Sequence, residues 1–193
     1  MKLRLLALIG LSTLLLFPAN AVRADWSPFG EYWNNAARAA AQNDAYQVQH
    51  IVATGGNPNE PDENERTGLH IAALNGNLQI AAILIRAKAK LDIKDKLGNT
   101  PLHYAAERGQ LEMAKLLLDV GASVDPENRN GMTPLMVAAS RGELDMVRVL
   151  LDRGANPAKS DFTGRNAESW ASEGHRPAVV QAIKRAEAGG KRS

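Results

Sequence analysis

Thr100 to Met132 reads TPLHYAAERGQLEMAKLLLDVGASVDPENRNGM, and the chain repeats the same pattern 33 residues to either side. Thr67-Gly-Leu-His-Ile-Ala-Ala precedes it and Thr133-Pro-Leu-Met-Val-Ala-Ala follows it. Each head leads to a glycine (Gly76, Gly109, Gly142), a paired aliphatic (Leu84-Ile85, Leu117-Leu118, Leu150-Leu151) and a small-residue stop. Self-similarity at such a period marks a stacked array, because one unit of this kind cannot bury its apolar face alone.

The residue types within one unit predict its local structure. Thr100 suits an N-cap, its hydroxyl accepting a bond from an otherwise unpaired amide, and Pro101 suits the first helical position, where its missing N–H is no loss. A short helix is predicted from there to about Arg108, stopped by Gly109, with Leu102, Ala105 and Ala106 on its buried face. In a second helix Leu111, Ala114, Leu117 and Leu118 form the apolar stripe. Gly121-Ala122 ends it before a turn-rich segment, Ser123 to Gly131.

A period of 33 headed by T-P-L-H-x-A-A resembles the ankyrin repeat family. The resemblance implies an all-α fold, an α-solenoid of stacked helix-turn-helix units with loop or β-turn fingers. The units fall at 34–66, 67–99, 100–132, 133–165 and 166–188. It also implies that His70 and His103, at equivalent positions, hydrogen-bond the Thr and the adjacent loop. In that family a protein partner docks on a concave surface made from loop tips and first helices. Carried onto this chain, the loop tips give Arg66, Lys96, Leu97, Asn99, Arg129, Asn130, Met132, Phe162 and Arg165. The exposed ends of the first helices give Leu74, Asn75, Glu107, Arg108, Ser140 and Arg141. Arg108 and Arg141, one period apart, are expected to form a positive stripe with Lys96 and Arg165 nearby, suited to a partner that presents carboxylates among apolar residues.

The pattern erodes at both ends. Ala39-Ala40, Asn43, Val48, Ile51-Val52 and Gly55 keep the register, while Arg38, Gln42, Gln47, Gln49 and His50 are the polar residues an end unit needs where a face meets water. Trp26, Phe29, Tyr32 and Trp33 lie ahead of it in a segment, 25–33, that reads either as a plug over the first repeat or as an exposed binding segment. Beyond Asn156, Asn166-Ala-Glu-Ser-Trp170-Ala171 takes the head position, Gly174 comes one residue early, and Val180 and Ile183 recover the register. A flexible tail, 189–193, is expected to follow this C-terminal cap.

Residues 1–24 have the pattern of a secretory signal peptide: Lys2 and Arg4, then the 13-residue uncharged run Leu5 to Phe17, then small residues up to Ala21 or Ala24. As a helix that run would span only ~20 Å, short of the ~30 Å membrane core. Removal takes Lys2, Arg4 and Arg23 with it, leaving 20 basic and 21 acidic residues, net −1. A neutral chain has no concentrated Lys/Arg surplus for nucleic acid or an anionic membrane. With no Cys and no Asn-x-Ser/Thr acceptor, a periplasmic or secreted monomer is expected, without a lipid anchor.

Chemistry is sought and not found. His50, His70, His103 and His175 have no metal-ligand spacing. The run Asp62-Glu-Asn-Glu65 lacks the Gly and Glu of a calcium loop and reads as solvated. No Cys nucleophile, G-x-S-x-G or glycine-rich phosphate loop occurs, so no catalytic residue, cofactor or metal is assigned. The expected function is non-catalytic protein–protein binding. Its alternative forms are an accessory factor that stabilises an exported enzyme, for example in oxidant defence, or an inhibitor or immunity-type protein.

Overall fold

In the computed structural model the described residues are 35–190, with side chains to 188; the expected signal peptide, 1–24, and the aromatic segment, 25–33, lie outside them. The described residues form ten helices in five antiparallel pairs, in the all-helical stack the repeat pattern implies. They are α1 (Ala36–Ala41) with α2 (Ala45–Ala53), α3 (Gly68–Asn75) with α4 (Leu78–Arg86), α5 (Pro101–Glu107) with α6 (Leu111–Asp119), α7 (Pro134–Arg141) with α8 (Leu144–Asp152), and α9 (Ala167–Glu173) with α10 (Pro177–Gly190). First helices pack in sequence, α1 on α3, α3 on α5, α5 on α7 and α7 on α9. The second helices pack behind them. No helix among the described residues is long and apolar enough to cross a membrane.

These helices are too short to be stable alone, so burial between repeats holds them. Ala72-Ala73, Ala105-Ala106 and Ala138-Ala139 are buried, their small size letting neighbouring first helices approach closely. Leu84, Leu117 and Leu150 are fully buried, and the second member of each aliphatic pair is half-buried. The stripe of α6 is broader than its spacing predicts. Met113, four residues before Leu117, is 1% exposed, while Leu111 and Leu118 sit half-buried at its margins.

The ends depart slightly from the register. The first repeat is capped by Asn35, whose Oδ1 accepts the Ala37 and Arg38 amides at 2.8 and 3.1 Å, so α1 starts one residue later in the period than α3 does. At the other end the early Gly174 leaves the left-handed position to His175 (φ 55°). Helix α10 runs to Gly190, two residues into the expected tail.

Candidate binding surface

The fingers between repeats are closed by one residue that recurs every 33 positions: Asp62, Asp95, Asn128 and Asp161. Each places its Oδ1 under the amides two and four residues on. For Asp95 these are Leu97 at 2.9 Å and Asn99 at 2.8 Å, and for Asp161 they are Thr163 at 2.9 Å and Arg165 at 3.0 Å. The remaining oxygens are claimed by other side chains: Asp62 by the Arg66 guanidinium (2.9 and 2.8 Å), Asp95 by the Tyr104 hydroxyl (2.6 Å), and Asp161 by the Trp170 indole N–H (3.1 Å). Burial pushes the Asp62 carboxyl up, and the Arg66 guanidinium with the Arg66 and Asn64 amides more than reverses this, leaving its pKa below the usual value. Asp161 is lowered in the same way, its burial outweighed by Thr163, Arg165 and Trp170. Asp62, expected to be solvated, is instead a half-buried structural group.

Successive fingers are tied by main-chain bonds. The Lys96 amide donates to the Asn64 carbonyl at 3.1 Å, Arg129 to Leu97 at 3.0 Å and Phe162 to Asn130 at 3.1 Å. The approach is close enough to require glycine. At Gly98 (φ 78°) a Cβ would lie 2.6 Å from the Arg129 nitrogen, and at Gly131 (φ 77°) it would lie 2.7 Å from the Phe162 ring. A second tie lies behind them, where Asn59, Asp92 and Asp125 accept the amides of Lys90, Ser123 and Asn156 in the next repeat.

The two histidines lock each head to the following finger. Nδ1 of His70 accepts the Thr67 amide at 3.0 Å, so the proton resides on Nε2, which donates to the Asn99 carbonyl at 3.0 Å. His103 repeats this between Thr100 (3.1 Å) and Met132 (3.0 Å). Burial lowers both pKa values, that of His103 to about 4. Thr67 and Thr100 thus form a capping box with the histidine, the hydroxyl taking the amide three residues on and the ring taking the Thr amide, whereas Thr133, followed by Met136, keeps only the hydroxyl half, accepting the Met136 amide at 3.4 Å.

On this frame the sequence-derived residues divide. Asn99 and Met132 serve the fingers through amide and carbonyl, and Asn99 also accepts from Asn128 at 2.9 Å. Arg66 is engaged with Asp62. Arg165 stacks on Trp170 at 3.7 Å and reaches Thr163 (2.8 Å) and Glu173 (3.1 Å). The Ser140 hydroxyl donates to the Val137 carbonyl at 2.8 Å. Arg141 pairs with Glu107, so the expected stripe of cations is largely neutralised along the first helices. Leu74 is half-buried, and Asn75 and Arg108 are exposed. Outward at the finger tips stand Lys96, Leu97, Arg129, Asn130 and Phe162. Tyr104 and Trp170, which repeat spacing alone does not single out, lie at the variable position of the head and tie the first helices to the fingers. Among the described residues no three His or acidic groups are placed to hold a metal ion.

A five-pair helical stack with fingers tied in register defines a repeat protein. The sequence profile described as ankyrin repeats (3 copies) matches residues 36–128 and 121–189, and the chain belongs to the ankyrin repeat family. It is also similar to the potassium channel GORK of Arabidopsis thaliana, 36% identical over 66 residues. That stretch is 34% of this chain, which spans 8% of the channel's length, so the likeness reaches one portion of each protein.

Proposed function

We propose that this chain is a non-catalytic, exported binding protein that holds a protein partner on its finger tips and the adjoining ends of its first helices. Ankyrin repeats are in general protein-interaction modules. The observation that carries the proposal is the main-chain tie between successive fingers, Lys96 to Asn64, Arg129 to Leu97 and Phe162 to Asn130. It holds the exposed tip side chains at fixed spacing before any partner arrives, which lowers the ordering cost of binding.

The test is capture from a periplasmic extract of the source organism by the chain lacking residues 1–24, against variants Arg108→Glu and Arg129→Glu. A partner retained by wild type and lost from at least one variant supports the proposal. Equal capture by all three places binding elsewhere and removes it. The accessory and inhibitor forms use the same surface, and adding the chain to the captured enzyme separates them: the first lengthens its half-life on heating, the second lowers its turnover. Export has its own check. Intact mass of the native protein should give a start at Val22 or Asp25, and retention of Met1 to Leu16 would sink the exported reading.

A further inference from the structure

Five large hydrophobic side chains are exposed among the described residues: Tyr46, Leu78, Leu97, Val120 and Phe162. Tyr46, Leu78 and Val120 belong to second helices or their ends. Leu97, 64% exposed, and Phe162, 74% exposed, stand instead on finger tips, two fingers apart, with Arg129 on the finger between them. The order is enforced by the backbone, since the Arg129 amide bonds Leu97 and the Phe162 amide bonds Asn130. The tip row is therefore apolar, cationic, apolar. A cleft of about 350 Å³ opens beside it, lined in part by Lys94, Gly98, Arg129 and Phe162.

The electrostatics of this row are unbalanced. Lys94 and Lys96 donate ammonium hydrogen bonds to main-chain carbonyls, of Glu127 at 2.6 Å and Glu63 at 2.5 Å, which supply no compensating charge. Arg129 makes no salt bridge among the described residues. Three acids face this group. Asp95 has its oxygens taken by two amides and the Tyr104 hydroxyl, Glu65 is exposed at the cleft edge, and the Glu127 carboxylate, which acts on Lys94, is bonded to the Lys159 ammonium. Four positive charges, Lys159 included, thus meet three negative ones, beside two uncovered apolar side chains. The first-helix cations differ, because Arg141 already has Glu107.

We propose that the row Leu97, Arg129, Phe162 binds an extended acidic segment of another protein, a carboxylate flanked on both sides by aliphatic or aromatic side chains. The carboxylate pairs with Arg129, which can offer two parallel N–H donors, and the flanking side chains cover Leu97 and Phe162. Arginine beside an aromatic side chain is the composition that dominates interface energetics. The inference rests on the finger-face reading given above and narrows it to one row and one partner chemistry.

A random 12-residue peptide library displayed on phage is selected against the full chain without residues 1–24, and enriched peptides are synthesised and measured by fluorescence anisotropy. The expected ligands carry Asp or Glu between apolar residues. They weaken at least tenfold on Arg129→Glu and on Phe162→Ser, and a peptide with Lys in place of the acid recovers binding to Arg129→Glu. All three tip side chains are exposed, so unchanged circular dichroism and urea midpoints should accompany the loss. Enriched peptides without acids, or insensitive to Arg129→Glu and Phe162→Ser, overturn the inference; if they respond to Arg108→Glu instead, the broader finger-face function stands. Absence of any enriched peptide overturns the inference, and capture from extract then judges the broader function separately. Self-association in analytical ultracentrifugation that Phe162→Ser abolishes would also overturn it, since the row would then be a contact between two copies of this chain.

Discussion

Nε2 of His103 donates to the main-chain carbonyl of Met132, 29 residues further on, at 3.0 Å. The bond crosses from one repeat's head to the finger that follows it, and it requires the neutral ring, because Nδ1 is occupied as the acceptor of the Thr100 amide. Protonation would put a hydrogen on Nδ1 facing that amide. Burial accordingly depresses the His103 pKa from 6.5 to about 4, with His70 lowered in the same direction.

The pH dependence follows from that direction. Between pH 6.5 and 4 the unfolded chain binds a proton at His103 that the folded chain does not, so stability is full above 6.5 and lost as pH falls towards 4. The loss from His103 alone is about 3 kcal/mol. Asp62 and Asp161, whose pKa values are depressed on folding, add loss in the same sense at lower pH. Urea unfolding at pH 7.5, 5.5 and 4 should show the wild type weakening more steeply than His103→Gln, which does not titrate there. Parallel pH profiles would contradict the assignment.

A contrast between two positions tests the stacking register. Leu117 is fully buried on α6, and Leu117→Ala should cost roughly 2–5 kcal/mol through lost transfer energy and a residual cavity. Gln110 is half-exposed at the start of the same helix and covers Gly76, so Gln110→Ala should stay within about 0.5 kcal/mol. Equal urea midpoints for the two variants would show that the α6 face has been assigned wrongly.

The array and its helix starts were legible because Thr and Pro act locally, a cap and a first turn needing nothing beyond their own repeat, and because the Leu and Ala of the packed face recur at the same place in each repeat that stacks on the next. Asp62, Asp95, Asn128 and Asp161 also recur every 33 residues, yet a lone Asp in a polar loop looks solvated until the loop is seen to close on its Oδ1. Cross-repeat pairs were less visible still. Glu107 and Arg141 are 34 residues apart, so comparing identical positions set Arg108 beside Arg141 and passed over the partner that neutralises it. Met113 was missed because the aliphatic pair Leu117-Leu118 drew the stripe towards Leu118, whereas the buried face runs through Met113 and Leu117.

Among the described residues four non-glycines have positive φ, Asn43, Glu65, Lys88 and His175, and each stands where other repeats carry glycine. Lys88 (φ 63°) occupies the position of Gly55, Gly121 and Gly154, and its side chain is exposed. A side chain in the left-handed region costs about 1–2 kcal/mol, offset in part by glycine's greater freedom when unfolded. Lys88→Gly should therefore stabilise by about 0.5–1 kcal/mol, and Gly121→Ala, with open space around it but φ 98°, should destabilise by a similar amount. A lower urea midpoint for Lys88→Gly would refute this reading.

A side-chain bond ties the first helix α5 to the finger before it. The Tyr104 hydroxyl donates to Oδ2 of Asp95 at 2.6 Å, and Asp95 itself is 4% exposed. Burial raises the Tyr104 pKa first, and the hydrogen bond and charge of Asp95 raise it further, from 10 up to about 12. Tyr104→Phe removes a donor to a buried carboxylate and should cost about 1.5–3 kcal/mol. Phenolate absorbance should show one tyrosine ionising near 12, absent from the Tyr104→Phe difference curve. Asp95→Asn should bring that ionisation down, because the acceptor's charge is gone while the burial remains. It should also loosen the finger, since the amides of Leu97 and Asn99 then share an uncharged acceptor, and amide exchange at those two positions should quicken. If Tyr104 ionises at the same pH in wild type and Asp95→Asn, the bond does not hold the finger, and the fixed spacing of Leu97 and Arg129 must come from the main-chain ties alone.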